Sequence, residues 1–320
     1  MALQSSGQIS ISDILTEGGQ SATRANTSLR DLEDGNVFTI NTDSPSKPNG
    51  SVPNAISEWY SYDHSYVAYS NDYFYFNDGV NDYIQGPWEG QTSLADNDWS
   101  ISFWVKQNQT TVASQQLWDF NADGTIDSGN TTDRVFLQYV GSTNRLLVRV
   151  RTNSTNFDRQ VSLHDNIATT GVSSAGWTSS NRGNVNALGF CMITVVYDSS
   201  QTTGAAAFKI YWNGTELTGS PASTNGTRTN NILGSLCLCA SQHATTSGNA
   251  AVLMDEWAFY SDTLTSGEIT SIYNSGTIVS PHTIHTDNLQ EVVQFGESST
   301  INTYIGNYSG IISGGVTDAY

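Results

Sequence analysis

Phe208-Lys209-Ile210-Tyr211-Trp212-Asn213-Gly214-Thr215-Glu216-Leu217 is the stretch on which the fold turns. Phe208, Ile210 and Trp212 alternate with Lys209 and Tyr211, the period of two that puts one set of side chains on one face of a strand. Asn213-Gly214 then offers the two positive φ angles of a type I′ turn, which returns the chain through Thr215 to Leu217 as an antiparallel partner. Upstream, 191–197 is a continuous apolar run suited to a strand covered on both faces. Alternating or aromatic runs recur at 73–76, 101–105, 116–120, 134–140, 145–151, 232–240 and 251–260. Roughly a dozen short strands separated by turn signals argue for a two-sheet sandwich. Phe103, Val105, Val195, Phe208, Ile210 and Trp257 are expected inside it.

Composition agrees with an all-β chain. Only 13% of the 320 residues are charged and 11% are aromatic, the usage of strands and polar turns rather than surface helices. Twelve Lys and Arg stand against 30 Asp and Glu, a formal charge of −18 that opposes nucleic-acid binding. No apolar run approaches the ~18 residues of a membrane span, and the N-terminus lacks the basic and apolar regions of a secretion signal. Cys191, Cys237 and Cys239 have no further ligand at metal spacing and read as small buried hydrophobes of a chain made in a reducing cytoplasm. One helix is well marked over 266–275, with Thr265-Ser266-Gly267-Glu268 as capping box, Leu264 and Ile269 as hydrophobic staple, and Gly276 at the C-terminal end.

Residues 1–70 differ from the rest. The alternating run Gln8-Ile9-Ser10-Ile11-Ser12 reads as a strand, followed by a short helix from Asp13; a second cap signal joins Ser28 to Asp31. The apolar content is too thin for a private core. Between Ser44 and Pro53 three of the six prolines gather with a glycine, marking an extended connector. An unpaired strand at 8–12 would become ordered by adding to the sheet edge of another chain, so Gln8, Ile9, Ser10, Ile11 and Ser12 are the expected docking residues. The organisation expected is a docking segment and connector at 1–70, a sandwich at 71–276 and a short β extension at 277–320.

The run from Met254 to Ile269 (Met-Asp-Glu-Trp-Ala-Phe-Tyr-Ser-Asp-Thr-Leu-Thr-Ser-Gly-Glu-Ile) resembles the closing strand and helix of concanavalin A-like, laminin G-like jelly rolls. Phe76-Asn-Asp-Gly-Val-Asn-Asp-Tyr-Ile84 and Trp99-Ser-Ile-Ser-Phe-Trp-Val-Lys106 resemble the opening strands of that family, in the right order. The N-terminal run Leu3-Gln-Ser-Ser-Gly-Gln-Ile-Ser-Ile-Ser-Asp-Ile14 is similar to the start of many bacteriophage virion proteins. Together these resemblances imply a non-enzymatic virion structural protein, assembled in the host cytoplasm, that attaches to other virion proteins of a tail, neck or capsid and forms a homo-oligomer. The alternatives are a carbohydrate-binding adhesin of a tail fibre that recognises a host-surface glycan, and, more remotely, a glycoside hydrolase.

A hydrolase of this fold needs two carboxylates flanking a glycosidic bond. Asp255 and Glu256 are adjacent, and adjacent strand residues face opposite ways. Calcium is the one candidate cofactor. Asp119, Asn121, Asp123 and Asp127 occupy positions 1, 3, 5 and 9 of an EF-hand-type loop with Gly124 at position 6, although Asn130 stands where a bidentate Glu belongs. The same residues also suit an Asx-rich turn. For a glycan, the end loops of a sandwich are the expected place. The long polar loop from Asp165 to Asn186 holds Trp177 with Arg182 nearby, and Trp88 is a second candidate; either tryptophan could instead pin its loop to the core.

Overall fold

The computed structural model describes residues 3–4, 6–24, 27–41, 44, 46–49, 55–62, 64, 73–76, 83–87, 93–121, 133–152, 155–219, 221–228, 235–240, 249–281, 285–294, 302–305, 311–313 and 316–319. The chain divides into two compact units, Met1–Tyr69 and Ser70–Tyr320.

The first unit holds helices α1 (Ile11–Glu17) and α2 (Leu29–Glu33). The strand expected at Gln8 to Ser12 is absent, because Ser10 is the N-cap of α1. Its hydroxyl accepts from the Asp13 N–H at 3.3 Å while its own N–H donates to the Asp13 carboxylate at 2.7 Å. This box satisfies two backbone donors locally, whereas the strand would have needed a foreign edge. Ser28 and Asp31 make the same box at α2. A private core is also present, against expectation: Ile9, Ile14, Leu15, Leu32, Phe38, Trp59 and Tyr62 form one buried cluster. Its bulk comes from aromatics far along the chain, with Trp59 edge-on to Phe38 at 6.1 Å and to Tyr62 at 5.1 Å.

The second unit is a sandwich of two antiparallel sheets. In chain order its strands are β1 (Tyr73–Phe76), β2 (Tyr83–Pro87), β3 (Trp99–Gln107), β4 (Gln115–Asn121), β5 (Arg134–Val140), β6 (Arg145–Thr152), β7 (Thr155–Ser162), β8 (Cys191–Tyr197), β9 (Phe208–Trp212), β10 (Thr215–Glu216), β11 (Ala222–Asn225), β12 (Ser235–Leu238), β13 (Val252–Tyr260), β14 (Leu289–Gln294), β15 (Asn302–Ile305), β16 (Ile311–Ser313) and β17 (Val316–Ala319). Short helices α3 (Ile167–Thr170) and α4 (Gly204–Ala207) precede β8 and β9, and α5 (Ser266–Tyr273) follows β13. One sheet runs β10-β9-β8-β3-β13-β1-β17, with β14 on the far half of β13 and β15 beside it; the other runs β11-β7-β6-β5-β4-β12-β2-β16. Beyond residue 277 the described strands β14, β17 and β16 pair with β13, β1 and β2.

The β9–β10 hairpin forms with Asn213 and Gly214 at φ 50° and 81°. All six residues expected in the core have no exposed surface. β7 carries no clear hydrophobic period, because Arg159 sits on its inward face between Phe157 and Val161. Its guanidinium crosses to the other sheet, donating to the carbonyls of Phe208 and Leu217. In β13, Glu256 (φ 48°) is the extra residue of a bulge, since Asp255 opposes Trp104 and Ala258 opposes Ser102. The bulge shifts the alternation by one, so that Met254 and Trp257 both join the inter-sheet core. A similar device separates Cys237 from Cys239: Cys239 lies past the strand end at φ 63° and meets the Met254 sulfur at 3.9 Å. Although two residues apart, the two thiols therefore do not share one face of the strand.

Helix α5 covers the other face of β3 and β8, where Tyr273 stacks on Trp104 at 5.7 Å. Thr265 caps it as expected; its N–H donates to the Glu268 carboxylate at 2.6 Å, and its hydroxyl accepts from the Glu268 N–H at 3.3 Å. The Thr265 backbone donor first, then its hydroxyl, hold the Glu268 carboxyl below its usual range. A depressed folded-state value means that this contribution is present above the unfolded value of 4.5 and is lost as pH falls through the folded one. Thr265→Ala is expected to cost about 1 kcal/mol in a neutral-pH melt. The difference from the parent should shrink in acid.

Candidate functional site: a polar cleft at one end of the sandwich

Where β5 and β7 finish and β4 and β6 begin, a cleft of about 360 Å³ opens at the end of the sandwich. Exposed Ser142 and Thr143 from the β5–β6 turn, His164 and Asp165 from the turn after β7, and Ser174 from the long loop line it with half-buried Arg145. Val112, 41% exposed, adds an apolar wall.

A buried hydrogen-bond relay holds these walls. Tyr139, at the end of β5, donates its hydroxyl proton to Asn144 Oδ1 at 3.1 Å and accepts the Trp177 N–H at 2.9 Å. Burial pushes its phenol pKa up, opposed by the bond from Trp177, so the hydroxyl stays a donor. Asn144, in the left-handed region at φ 52°, donates its amide to the Ser173 carbonyl at 3.1 Å and so ties the β5–β6 turn to the long loop. Two glycines allow the close approach. A Cβ on Gly141 would lie 2.6 Å from the Ala113 backbone, and one on Gly176 (φ +90°) would lie 2.5 Å from Val112.

Trp177 does not line this cleft as an exposed platform. It is fully buried, edge-on to Tyr139 and Trp212, both at 5.6 Å, and its ring N–H donates to the Arg182 carbonyl at 3.2 Å. The ring anchors the loop, whose tip Ser174–Ala175–Gly176 then forms the cleft wall. Arg182 is half-buried and donates its Nε–H to the Gln107 carbonyl at 2.8 Å. Trp88 lies outside the described residues. The cleft residues Ser142, Thr143 and Ser174 carried no sequence signal beyond membership of polar turns.

Two of the expected calcium ligands, Asp119 and Asn121, lie among the described residues. Asp119 is fully buried on the outer face of β4, where Arg134 grips both its oxygens, Nε to Oδ1 at 3.2 Å and an Nη to Oδ2. A guanidinium on a carboxylate occupies the oxygens and repels a cation, so Asp119 is not open to calcium here. Asn121 is buried two residues on, and Asp123 and Asp127 lie outside the described residues. Among the described residues no cluster of three or more His, Cys, Asp or Glu is arranged to hold a metal ion. None of the described helices is long and apolar enough to cross a membrane. Asp255 and Glu256 are both fully buried at their bulge.

No family model matches the chain. No curated protein matches it either. Solved structures do. A putative carbohydrate-binding protein from Bacteroides ovatus is 14% identical with TM-score 0.47, covering 78% of this chain and 60% of its own. A heptameric SAP-like pentraxin from Limulus polyphemus is 10% identical with TM-score 0.40 over 74% of this chain and 96% of its own. The ligand-binding domain of botulinum neurotoxin serotype D, solved with N-acetylneuraminic acid, is 12% identical with TM-score 0.41 over 65% of this chain and 43% of its own. The chain thus spans less than two thirds of the Bacteroides protein and of the toxin domain.

Proposed function

We propose that this chain is a non-enzymatic, saccharide-binding structural protein of a bacteriophage particle, with the end cleft of its sandwich as the binding site. The observation that carries the reading is the cleft itself. Exposed hydroxyl, imidazole and carboxylate groups stand on walls locked by the Tyr139–Asn144–Trp177 relay, beside an exposed valine. Convergent polar groups with one apolar wall suit a ring of hydroxyls over a C–H face, and the volume lies at the lower end of ligand pockets, roughly 300–1,000 Å³. A binding rather than hydrolytic role is supported by the full burial of Asp255 and Glu256, which keeps that carboxylate pair from reaching a glycosidic bond.

Assignment to a virion rests on the run Leu3 to Ile14 and on the separate N-terminal unit with its own core. In this reading the first unit attaches to other virion proteins and the sandwich is displayed. A glycan array probed with the full chain is the test: hits are expected, and a bulky Ser174→Trp at the exposed rim should abolish them without lowering the melting temperature. An array without hits removes saccharide binding. Particles that fail to label with antibody to the sandwich remove the virion assignment.

A further inference from the structure

On the face of the eight-stranded sheet turned away from the core, four polar residues stand in one row. Asn156 of β7 pairs with Arg151 of β6, Arg151 with Arg134 of β5, and Arg134 with Asn121 of β4. The next row holds Asp158, Arg149, Phe136 and Asp119. The two carboxylates are spoken for: Asp119 by Arg134, and Asp158 by Arg149 through contacts of 2.8 and 2.6 Å. Arg151 is left over. It makes no ion pair among the described residues, and its Nε is buried without a hydrogen-bond partner. Asn121 is fully buried with neither amide atom bonded, and the Asn156 Oδ1 is buried in the same condition.

This arrangement is unfavourable as it stands. A guanidinium faces a second directly across the strand pair and a third two residues away, and burial together with the charges of Arg149 and Arg134 disfavours its protonated form. Buried amides without partners cost free energy as well. An anion on Arg151 would relieve the repulsion, and a hydroxyl beside that anion would meet the Asn156 side chain across the strand pair. Phe136 supplies an apolar floor, held under Arg134 at 4.9 Å and Arg149 at 5.7 Å from its ring centre. The net charge of −18 limits what can bind. An extended polyanion meets repulsion over the whole surface, whereas a single compact charge feels mainly groups within a screening length of about 8 Å.

We propose that Arg151, with half-buried Asn156 directly across the strand pair, binds the carboxylate of an acidic saccharide on this outer face, at a site separate from the end cleft. The guanidinium fork matches a carboxylate with two parallel hydrogen bonds, and the Asn156 amide matches a neighbouring ring hydroxyl. The proposal rests on the saccharide-binding reading for the class of ligand only. The test is calorimetric titration of the full chain with a glucuronate-containing oligosaccharide, the neutral oligosaccharide of the same length and linkage, and a sulfated counterpart. The carboxylated ligand should bind more tightly than the neutral one and weaken with added salt. Arg151→Gln should lower its affinity roughly ten- to a hundredfold, the loss of hydrogen bonds to a charged group, while its melting temperature stays level or rises as repulsion is relieved. Arg151→Lys, which keeps the charge and loses the fork, should fall between. Equal affinity for acidic and neutral ligands, or unchanged binding in Arg151→Gln, overturns the proposal. Neutral binding with nothing added by the carboxylate does so too, while leaving the end-cleft reading standing. Acidic binding that depends on Arg151 without neutral binding supports it and defeats the end cleft. Sulfated ligand bound as tightly as carboxylated overturns the carboxylate preference.

Discussion

Trp177→Ala is expected to remove about 3–5 kcal/mol of stability, the range for truncating a buried large aromatic, and to abolish saccharide binding with it. Two effects coincide at this residue. The indole fills space between Tyr139 and Trp212, and by anchoring the loop it keeps the residue's backbone N–H on the Tyr139 hydroxyl, which continues the relay to Asn144. Emptying that space leaves a cavity in the core and frees the segment bearing Ser174 to Gly176. Denaturant titration reads the first effect and the glycan array the second. Tyr139→Phe separates them, because it keeps the ring and removes only the hydroxyl; it should lower stability by much less and still loosen the cleft. Trp177→Ala with parental stability would show that the loop is not held by this ring.

Breaking the ion pair on the outer face of the eight-stranded sheet should be about as damaging. Arg134→Met leaves the Asp119 carboxylate fully buried without its guanidinium, and the expected loss is about 3–5 kcal/mol. Asp119→Leu combined with Arg134→Met should recover most of this, since two apolar residues replace two charges without leaving one orphaned. A double-mutant cycle in denaturant melts gives the coupling directly. Additive losses would mean that the two side chains act independently. The same double variant tests the outer-face site, because Arg151 then lacks the like charge opposite it.

Local chemistry made much of the fold legible. The β9–β10 hairpin follows from alternation and an Asn-Gly turn, and α5 follows from its capping box and staple, because both signals act within a few residues. The N-terminal segment shows where local signals compete. Gln8 to Ser12 alternates like a strand, yet Ser10 and Asp13 also form a capping box, and the box prevails because it satisfies its donors without a partner. The core of that unit has no local signature, because Trp59 and Tyr62 lie some forty residues from α1 and carry no period.

Composition, periodicity and local capping signals of this chain determined by themselves an all-β sandwich, its principal strands, helix α5 and six residues of the core. Tertiary structure alone decided the rest. An inward arginine conceals β7 from any reading of hydrophobic period, since Arg159 is acceptable inside only because the carbonyls of Phe208 and Leu217 lie opposite it. The direction of Trp177 depends on Tyr139 and Trp212, which are distant in sequence. The row from Asn121 to Asn156 exists only through the register of four strands. Its residues are far apart in the chain and have no common motif, and register is set by packing across the whole sheet.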